Sequence, residues 1–154
     1  SPWYISSLPL LKMDKQIVHV EANNDFFLNI YAEDVNDLIG TYIEVSYNKN
    51  MLHLTGITEG SFLSENNPDN TSFIPSTLSE SNISGLIEIN TTRLGGDPVG
   101  VSGNGIIAKL TFTAKTTTGV TNIVFSQNNI CIMRDSENNA IIYVGLIGAE
   151  VDVY

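Results

Sequence analysis

The alternation of apolar and polar side chains over residues 105–115 constrains the fold of this chain more than any other feature. Two sets of four residues alternate there: Ile106, Ala108, Leu110 and Phe112 against Ile107, Lys109, Thr111 and Thr113. A β-strand turns successive side chains to opposite faces of its sheet, so the pattern predicts a strand with one buried face and one wetted face. Residues 34–63 follow the same logic, with a strand, a turn at residues 48–50 and a second strand.

Strand signals recur along most of the chain, separated by short segments rich in Asn, Asp, Gly and Thr that favour turns. The predicted strands are residues 16–22, 26–32, 39–47, 51–58, 86–92, 105–115, 122–126, 129–134, 140–144 and 149–153. No apolar pattern of helical period is sustained over three turns. Isoleucine, valine and threonine are plentiful while alanine is scarce, which favours strands over helices. The sequence therefore predicts an all-β sandwich or barrel.

The length of 154 residues fits one domain. Residues 16–154 are predicted to form it. Residues 1–15 are predicted to be a linker or N-terminal arm, because Pro2 and Pro9 interrupt their scattered apolar side chains. Residues 64–84 form a long polar connection, and we expect it to carry structure or function of its own, with no more helix than a turn or two. Expected core positions are Ile43, Val45, Leu110, Phe112, Val124 and Phe125.

Charge excludes two classes of partner. Seventeen acidic against seven basic residues give a formal net charge of −10. Such a surface repels nucleic-acid phosphates and anionic lipid, so we expect no nucleic acid or membrane-surface partner. Apolar runs are of strand length, far below the roughly 20 residues that a bilayer requires, so no membrane insertion is predicted.

Catalytic and metal-binding patterns are also missing from the sequence. Cys131 is the single cysteine and its neighbours are apolar, which predicts a buried structural thiol. His19 and His53 lack a second histidine or cysteine at metal-ligand spacing. Residues 135–139 lack the glycine and distal glutamate of an EF-hand and are predicted to form a hairpin turn. The sequence therefore predicts no enzyme and no metal site.

Several segments together resemble the cohesin family in order and spacing. They are FFLNI at residues 26–30, DVNDLIG at 34–40, YNKNML at 47–52, GIIAKLTF at 105–112, and the closing hairpin at 138–153. Asn48 and Lys49 stand where the family usually has Asp and Pro. The resemblance implies a nine-stranded antiparallel jelly-roll β-sandwich. It also implies a non-catalytic, extracellular or cell-surface module that is a monomer alone and captures calcium-loaded dockerin domains, with the calcium on the dockerin.

The resemblance also implies which surface binds the dockerin. In the family, the strands that match residues 39–47, 86–92 and 105–115 are neighbours in the binding sheet. The outward residues expected there are Tyr42, Glu44, Leu86, Glu88, Asn90, Thr92, Ile107 and Lys109, with Arg93 and Leu94 in the adjoining loop. An apolar centre with a polar rim is the composition that a specific protein interface needs.

Two other functions remain open at this stage. One is a carbohydrate-binding module on a related sandwich, and the other is a structural spacer in a cell-surface protein. Sugar platforms generally need several exposed coplanar aromatic rings. Trp3 lies in the predicted arm and the predicted outward faces offer little beyond Tyr42. The sequence therefore favours protein recognition over sugar recognition.

Overall fold

The computed structural model describes residues 8–66, 71–95 and 99–154. Eleven strands and one helix lie in these residues. They are β1 (Leu10–Met13), β2 (Ile17–Val20), β3 (Asp25–Ser46), β4 (Leu52–Glu59), β5 (Thr71–Pro75), α1 (Leu78–Ser84), β6 (Leu86–Arg93), β7 (Val101–Ala114), β8 (Gly119–Phe125), β9 (Ile132–Asp135), β10 (Gly145–Ile147) and β11 (Ala149–Val153). The all-β prediction is confirmed, although the strand count exceeds the nine expected.

The 22-residue strand β3 connects the two layers of the sandwich. Its first half pairs with β1 and β7, and this layer extends to β10 beyond β1 and to β4 beyond β7. Its second half pairs with β6 and β9, with β5 on the far side of β6. The end of β3 also pairs with β8, which leads through β11 to the parallel edge strand β2.

Two bulges accompany the passage of β3 from one layer to the other. The register against β7 shifts between Ala32 and Val35 and again between Val35 and Leu38, and each time β3 has one residue more than β7. Asp34 and Asp37 lie in these shifts with φ of 56° and 61°. An extra residue bends its strand, and aspartate tolerates the left-handed conformation better than most residues. Residues 26–32 and 39–47, predicted as separate strands, are thus parts of one bent strand.

The side chain of Asp37 fixes the second bulge. Its carboxylate accepts hydrogen bonds from the Gly100 amide at 3.0 Å and from the amide and hydroxyl of Ser136. The hydrogen bond from the Ser136 hydroxyl is the main cause that lowers the pKa of this carboxyl, and partial burial opposes it. Asp37 thereby ties β3 to the start of β7 and to the turn after β9.

The core lies between the layers and is formed by the inward side chains of both. Phe112 is fully buried, with its ring stacked on Phe26 and edge-on to Tyr47, both at 5.3 Å between centroids. The expected core positions Ile43, Val45, Leu110, Phe112 and Phe125 are all buried. Val124 is 44% exposed, so its placement near the core is wrong. It precedes Phe125 in one strand, and neighbouring residues of a strand face opposite ways.

Helix α1 is the only helix in the described residues and lies within the connection where a turn or two was expected. Thr77 caps its start by accepting from the Glu80 amide at 3.1 Å, and Gly85 ends it in the left-handed region with φ of 77°. From α1, the Asn82 amide group accepts from the Leu54 N–H at 2.8 Å and donates to the Leu54 carbonyl at 2.9 Å. This side chain pairs with β4 as a further strand would.

Tyr47 is buried beneath the helix and donates its phenol hydrogen to Asn82 Oδ1 at 2.7 Å. Burial raises the pKa of Tyr47 to about 12. The folded-state pKa therefore lies above the ordinary tyrosine value near 10. The neutral phenol stabilises the fold fully below pH 10, and this contribution is lost as the pH rises through 12. We expect an ultraviolet phenolate titration to show a step near pH 12 that Tyr47→Phe abolishes. Loss of an ordinary tyrosine step near pH 10 instead would contradict this assignment.

The structure corrects the predictions for two segments and agrees with the expectation that the long connection carries structure of its own. Within the predicted arm, residues 10–13 form β1, with Leu11 and Met13 fully buried, so the sandwich begins before residue 16. Residues 1–7 lie outside the described part. Within the long connection, residues 71–75 form β5. Residues 140–144 are not a strand, since Ala140 makes an isolated bridge to Arg134 and β10 begins at Gly145.

Candidate functional site

The outer surface of β9, the second half of β3, β6 and β5 forms an open sheet face, here called the front face. Its outward side chains lie in rows across the four strands because strand registers align them. One row runs Ile132, Tyr42, Asn90 and Ile74. The next runs Arg134, Gly40, Thr92 and Ser72.

A shallow depression of about 360 Å³ lies along these two rows. Gly40 helps to form its floor, because a Cβ atom on Gly40 would lie 2.5 Å from Thr92 Oγ1 and would push that side chain aside. The surrounding positions combine apolar side chains with polar ones. Ile74 is 63% exposed, Ile132 is partly exposed, and Asn90 and Arg134 are exposed. The front face is thus open, nearly flat and mixed in character, as protein-binding surfaces are.

One end of the front face is acidic. Glu44 and Glu88 lie directly opposite each other on β3 and β6. The hydroxyl of Tyr42 is 3.5 Å from a carboxylate oxygen of Glu44. Burial is the main cause that raises the pKa of Tyr42, and the negative charges of Glu88 and Glu44 raise it further. Because like charges directly opposite each other on a sheet are destabilising, this end of the face favours a partner that brings positive charge.

Six predicted site residues share the front face. They are Tyr42, Glu44, Leu86, Glu88, Asn90 and Thr92. The predicted alternation is confirmed there, since Ile43, Val45, Ile87, Ile89 and Thr91 are buried beneath them. That these six contact a partner stays a prediction.

Arg93 is the last residue of β6 and does not belong to the adjoining loop, where the sequence prediction placed it. Arg93 has the inward position that alternates with Thr92, and its guanidinium Nη1 donates to the carbonyls of Leu63 and Glu65, both at 2.8 Å. Arg93 therefore holds the segment that follows β4. Leu94 is 46% exposed beside it. Residues 96–98 of the predicted loop lie outside the described part.

Ile107 and Lys109 do not belong to the front face, so their predicted place in it is wrong. Their strand, β7, pairs with the first half of β3 and with β4, in the other layer. Ile107 is only 2% exposed. The register against β3 passes from Ala108 to Ile106 and skips Ile107, so a bulge turns this side chain inward. Lys109 is exposed, but on the opposite side of the sandwich.

Five residues of the two rows were not predicted from sequence. They are Gly40 on β3, Ser72 and Ile74 on β5, and Ile132 and Arg134 on β9. The sequence predicts a strand at residues 129–134. Alternation around the buried Met133 turns Ile132 and Arg134 outward, but local pattern does not show that this strand lies beside β3. β5 is five residues long and lies in a polar connection, so local pattern offers no comparable signal.

The remaining chemistry is structural. Cys131 is buried, as predicted, and burial raises the pKa of its thiol. Residues 135–139 form the predicted turn, with the Asn138 amide bonded to the Asp135 carbonyl at 3.0 Å. In the described ranges, no cluster of three or more His, Cys, Asp or Glu residues has the arrangement to hold a metal ion. None of the described helices is long and apolar enough to cross a membrane.

The fold is shared with solved structures of low sequence identity. A chain of the complex between a CaDoc0917 variant and CaCohA2 has a TM-score of 0.76 at 15% identity, over 95% of this chain and 99% of that one. CaCohA2 is from Clostridium acetobutylicum. A non-cellulosomal cohesin from the archaeon Archaeoglobus fulgidus has a TM-score of 0.74 at 14% identity, over 96% and 92%. A chain of the Coh-OlpA–Doc918 complex from Clostridium thermocellum has a TM-score of 0.74 at 12% identity, over 96% and 99%.

Family assignment rests on the sequence itself. No curated protein matches this chain. The family model described as "Cohesin domain" matches residues 14–152, which is nearly the whole sequence. The matched range begins beside β1 and ends within β11, so it takes in both layers of the sandwich and all four strands of the front face. This chain belongs to the cohesin family.

Proposed function

We propose that this cohesin module is a non-catalytic receptor that binds a calcium-loaded dockerin domain through the front face. The observation that carries the proposal is the pair of side-chain rows across β9, β3, β6 and β5. Exposed Ile74 and half-buried Tyr42 and Ile132 supply apolar contact, and Asn90, Thr92 and Arg134 supply hydrogen-bonding groups. Interfaces of this kind place their binding energy in a few central residues surrounded by a polar rim.

The distribution of charge supports the same partner surface. Glu44 and Glu88 make one end of the face negative, and Arg134 lies at the β9 edge. A dockerin that presents a basic side chain to the two glutamates would relieve their mutual repulsion on binding. Complementary charge of this sort fixes orientation and accelerates encounter more than it adds affinity.

The module acts, in this proposal, outside the cell as one part of a larger secreted or surface-attached protein. One of the structural relatives is described as part of a type I cohesin–dockerin complex, and another as a non-cellulosomal cohesin. Both a polysaccharide-degrading assembly and the attachment of other proteins to the cell surface fit a non-catalytic receptor. The enzymes or surface proteins that carry the matching dockerin decide between these settings.

A titration against a panel of dockerin domains from the same genome tests the proposal. Calorimetry in calcium is expected to give one-to-one binding by at least one dockerin. The binding should be lost in excess chelator, because calcium holds the dockerin folded, and the unliganded cohesin should keep its melting temperature there. Absence of binding across the whole panel, with every dockerin shown to be folded, would contradict the receptor function.

A further inference from the structure

The layer opposite the front face carries an unusual group of basic and aromatic side chains. The outer surface of β10, β1, the first half of β3, β7 and β4 is here called the rear face. Phe27, Asn29 and Tyr31 point outward from β3, alternating with the buried Leu28 and Ile30. Lys109 lies beside Asn29 on β7, and Lys12 lies beside Tyr31 on β1.

Two lysines meet over one aromatic ring on this face. The Lys15 ammonium is 4.3 Å from the centroid of the Phe27 ring, and the Lys109 ammonium is 4.4 Å from the same centroid. Phe27 as a whole is 40% exposed. The attraction between each ammonium and the ring partly offsets the repulsion between the two charges. The ring therefore holds two positive charges near each other at the surface.

The carboxylates on this face bond to groups other than the ammonium groups of Lys15 and Lys109, and Asp25 accepts from the Thr113 hydroxyl. Asp14 accepts from the amide and side chain of Asn29, both at 2.9 Å, and Glu33 pairs with Lys12 at 3.0 Å. No carboxylate oxygen in the described part of the chain lies within 4.0 Å of the Lys15 or Lys109 ammonium. The chain carries a net charge of −10, so two neighbouring lysines with no carboxylate in direct contact are a local exception to its surface charge.

From this cluster we propose that the rear face is a second binding site, which takes an anionic polysaccharide of the uronic-acid class. The lysine ammonium groups pair with sugar carboxylates, and the Phe27 ring holds the two ammonium groups in place. Dockerin binding on the front face is independent of this site, since the two faces are on opposite layers.

The rest of the rear face suits a sugar chain better than an acidic peptide. Thr58, Lys109 and Asn29 form one row across β4, β7 and β3, and Thr111 lies beside Phe27 in the next row. Hydroxyl and amide groups at these positions match the donors and acceptors of sugar hydroxyls. Peptide binding through side chains would use apolar anchors, and the outward positions named here are polar apart from Phe27.

Affinity electrophoresis through gels that contain polygalacturonate tests this proposal. A protein of net charge −10 is repelled by a polyanion, so retardation requires a specific site. We expect the wild-type module to be retarded by polygalacturonate and not by the same polymer with its carboxyls methyl-esterified. The double substitution Lys15→Gln with Lys109→Gln should weaken the interaction at least tenfold, and Phe27→Ala should weaken it several-fold. Both variants should still bind dockerin as the wild type does.

The matched control is the double substitution Lys49→Gln with Lys115→Gln, which removes the same total charge. In the wild type, the Lys49 ammonium donates to the Ile83 carbonyl and the Lys115 ammonium donates to the Lys49 carbonyl. The retardation of this control should equal that of the wild type. The proposal is overturned by any of three results: no retardation at low ionic strength, equal retardation by the esterified polymer, or equal loss in the control. Equal affinity for polyglutamate would also overturn it and would indicate an acidic protein segment as the ligand.

Discussion

Replacement of Phe112 by alanine is expected to lower the free energy of unfolding by about 3–5 kcal/mol. The ring is fully buried and contacts Phe26 in its own layer and Tyr47 directly after β3. Its removal costs the transfer free energy of the side chain and leaves a cavity at the junction of the two layers. Equilibrium unfolding in denaturant, monitored by circular dichroism, measures this change.

The control for that experiment is Val124→Ala, at a position that is 44% exposed in β8. It should change the free energy of unfolding by no more than about 0.5 kcal/mol, as surface substitutions usually do. A cost below about 1 kcal/mol for Phe112→Ala would mean that the ring does not join the two layers as the structure has it.

Asn90→Arg is expected to weaken dockerin binding by about 2 kcal/mol or more, which is a loss of roughly 30-fold in affinity. Asn90 lies between Tyr42 and Ile74 in the central row of the front face and is exposed. Arginine there adds a long charged side chain over the apolar contacts and leaves the inward residues untouched. Calorimetric titration with the dockerin identified from the panel measures the effect.

The matched control is the same substitution at Asn122, an exposed strand residue of β8 that pairs with Glu150 on β11. Asn122→Arg should keep the wild-type affinity. A second control is Lys109→Glu, which reverses a charge on the rear face. Wild-type affinity in Asn90→Arg, together with an unchanged melting temperature, would show that the dockerin uses another surface.

Local alternation in the sequence predicted much of the front face correctly. Outward Tyr42 and Glu44 on β3 and outward Glu88 and Asn90 on β6 follow from a period of two that no irregularity interrupts. The same rule placed Ile43, Val45 and Phe112 in the core. Within an unbroken strand, the sequence determines which side of the sheet each residue takes.

Two features of the fold, a bulge and the order of the strands, could not be predicted from the local sequence pattern. A bulge reverses which residues of a strand face inward, and it has no clear sequence signal. For this reason Ile107 is buried, although Lys109, two residues later, is exposed. The order of strands in a layer depends on contacts between distant segments. Local sequence pattern therefore places Lys109 in the wrong layer and does not indicate that Arg134 contributes to the front face.

Short strands were the other source of error. β1 has four residues and follows a proline, and β5 has five and ends with one. Both pair with a longer strand that sets their conformation, β1 with β3 and β5 with β6. Pairing of this kind overrides weak intrinsic preference, since strand propensity depends largely on neighbouring strands. Ser72 and Ile74 joined the site only through this pairing.

Chemical-shift mapping of the isotope-labelled module with its dockerin tests the central claim most directly. The largest changes are expected at Gly40, Tyr42, Asn90, Thr92 and Ile132, which share the front face. Signals of Phe27, Asn29 and Lys109 on the rear face should stay in place. Changes concentrated on the rear face, with the front-face signals unmoved, would contradict the assignment of the dockerin site.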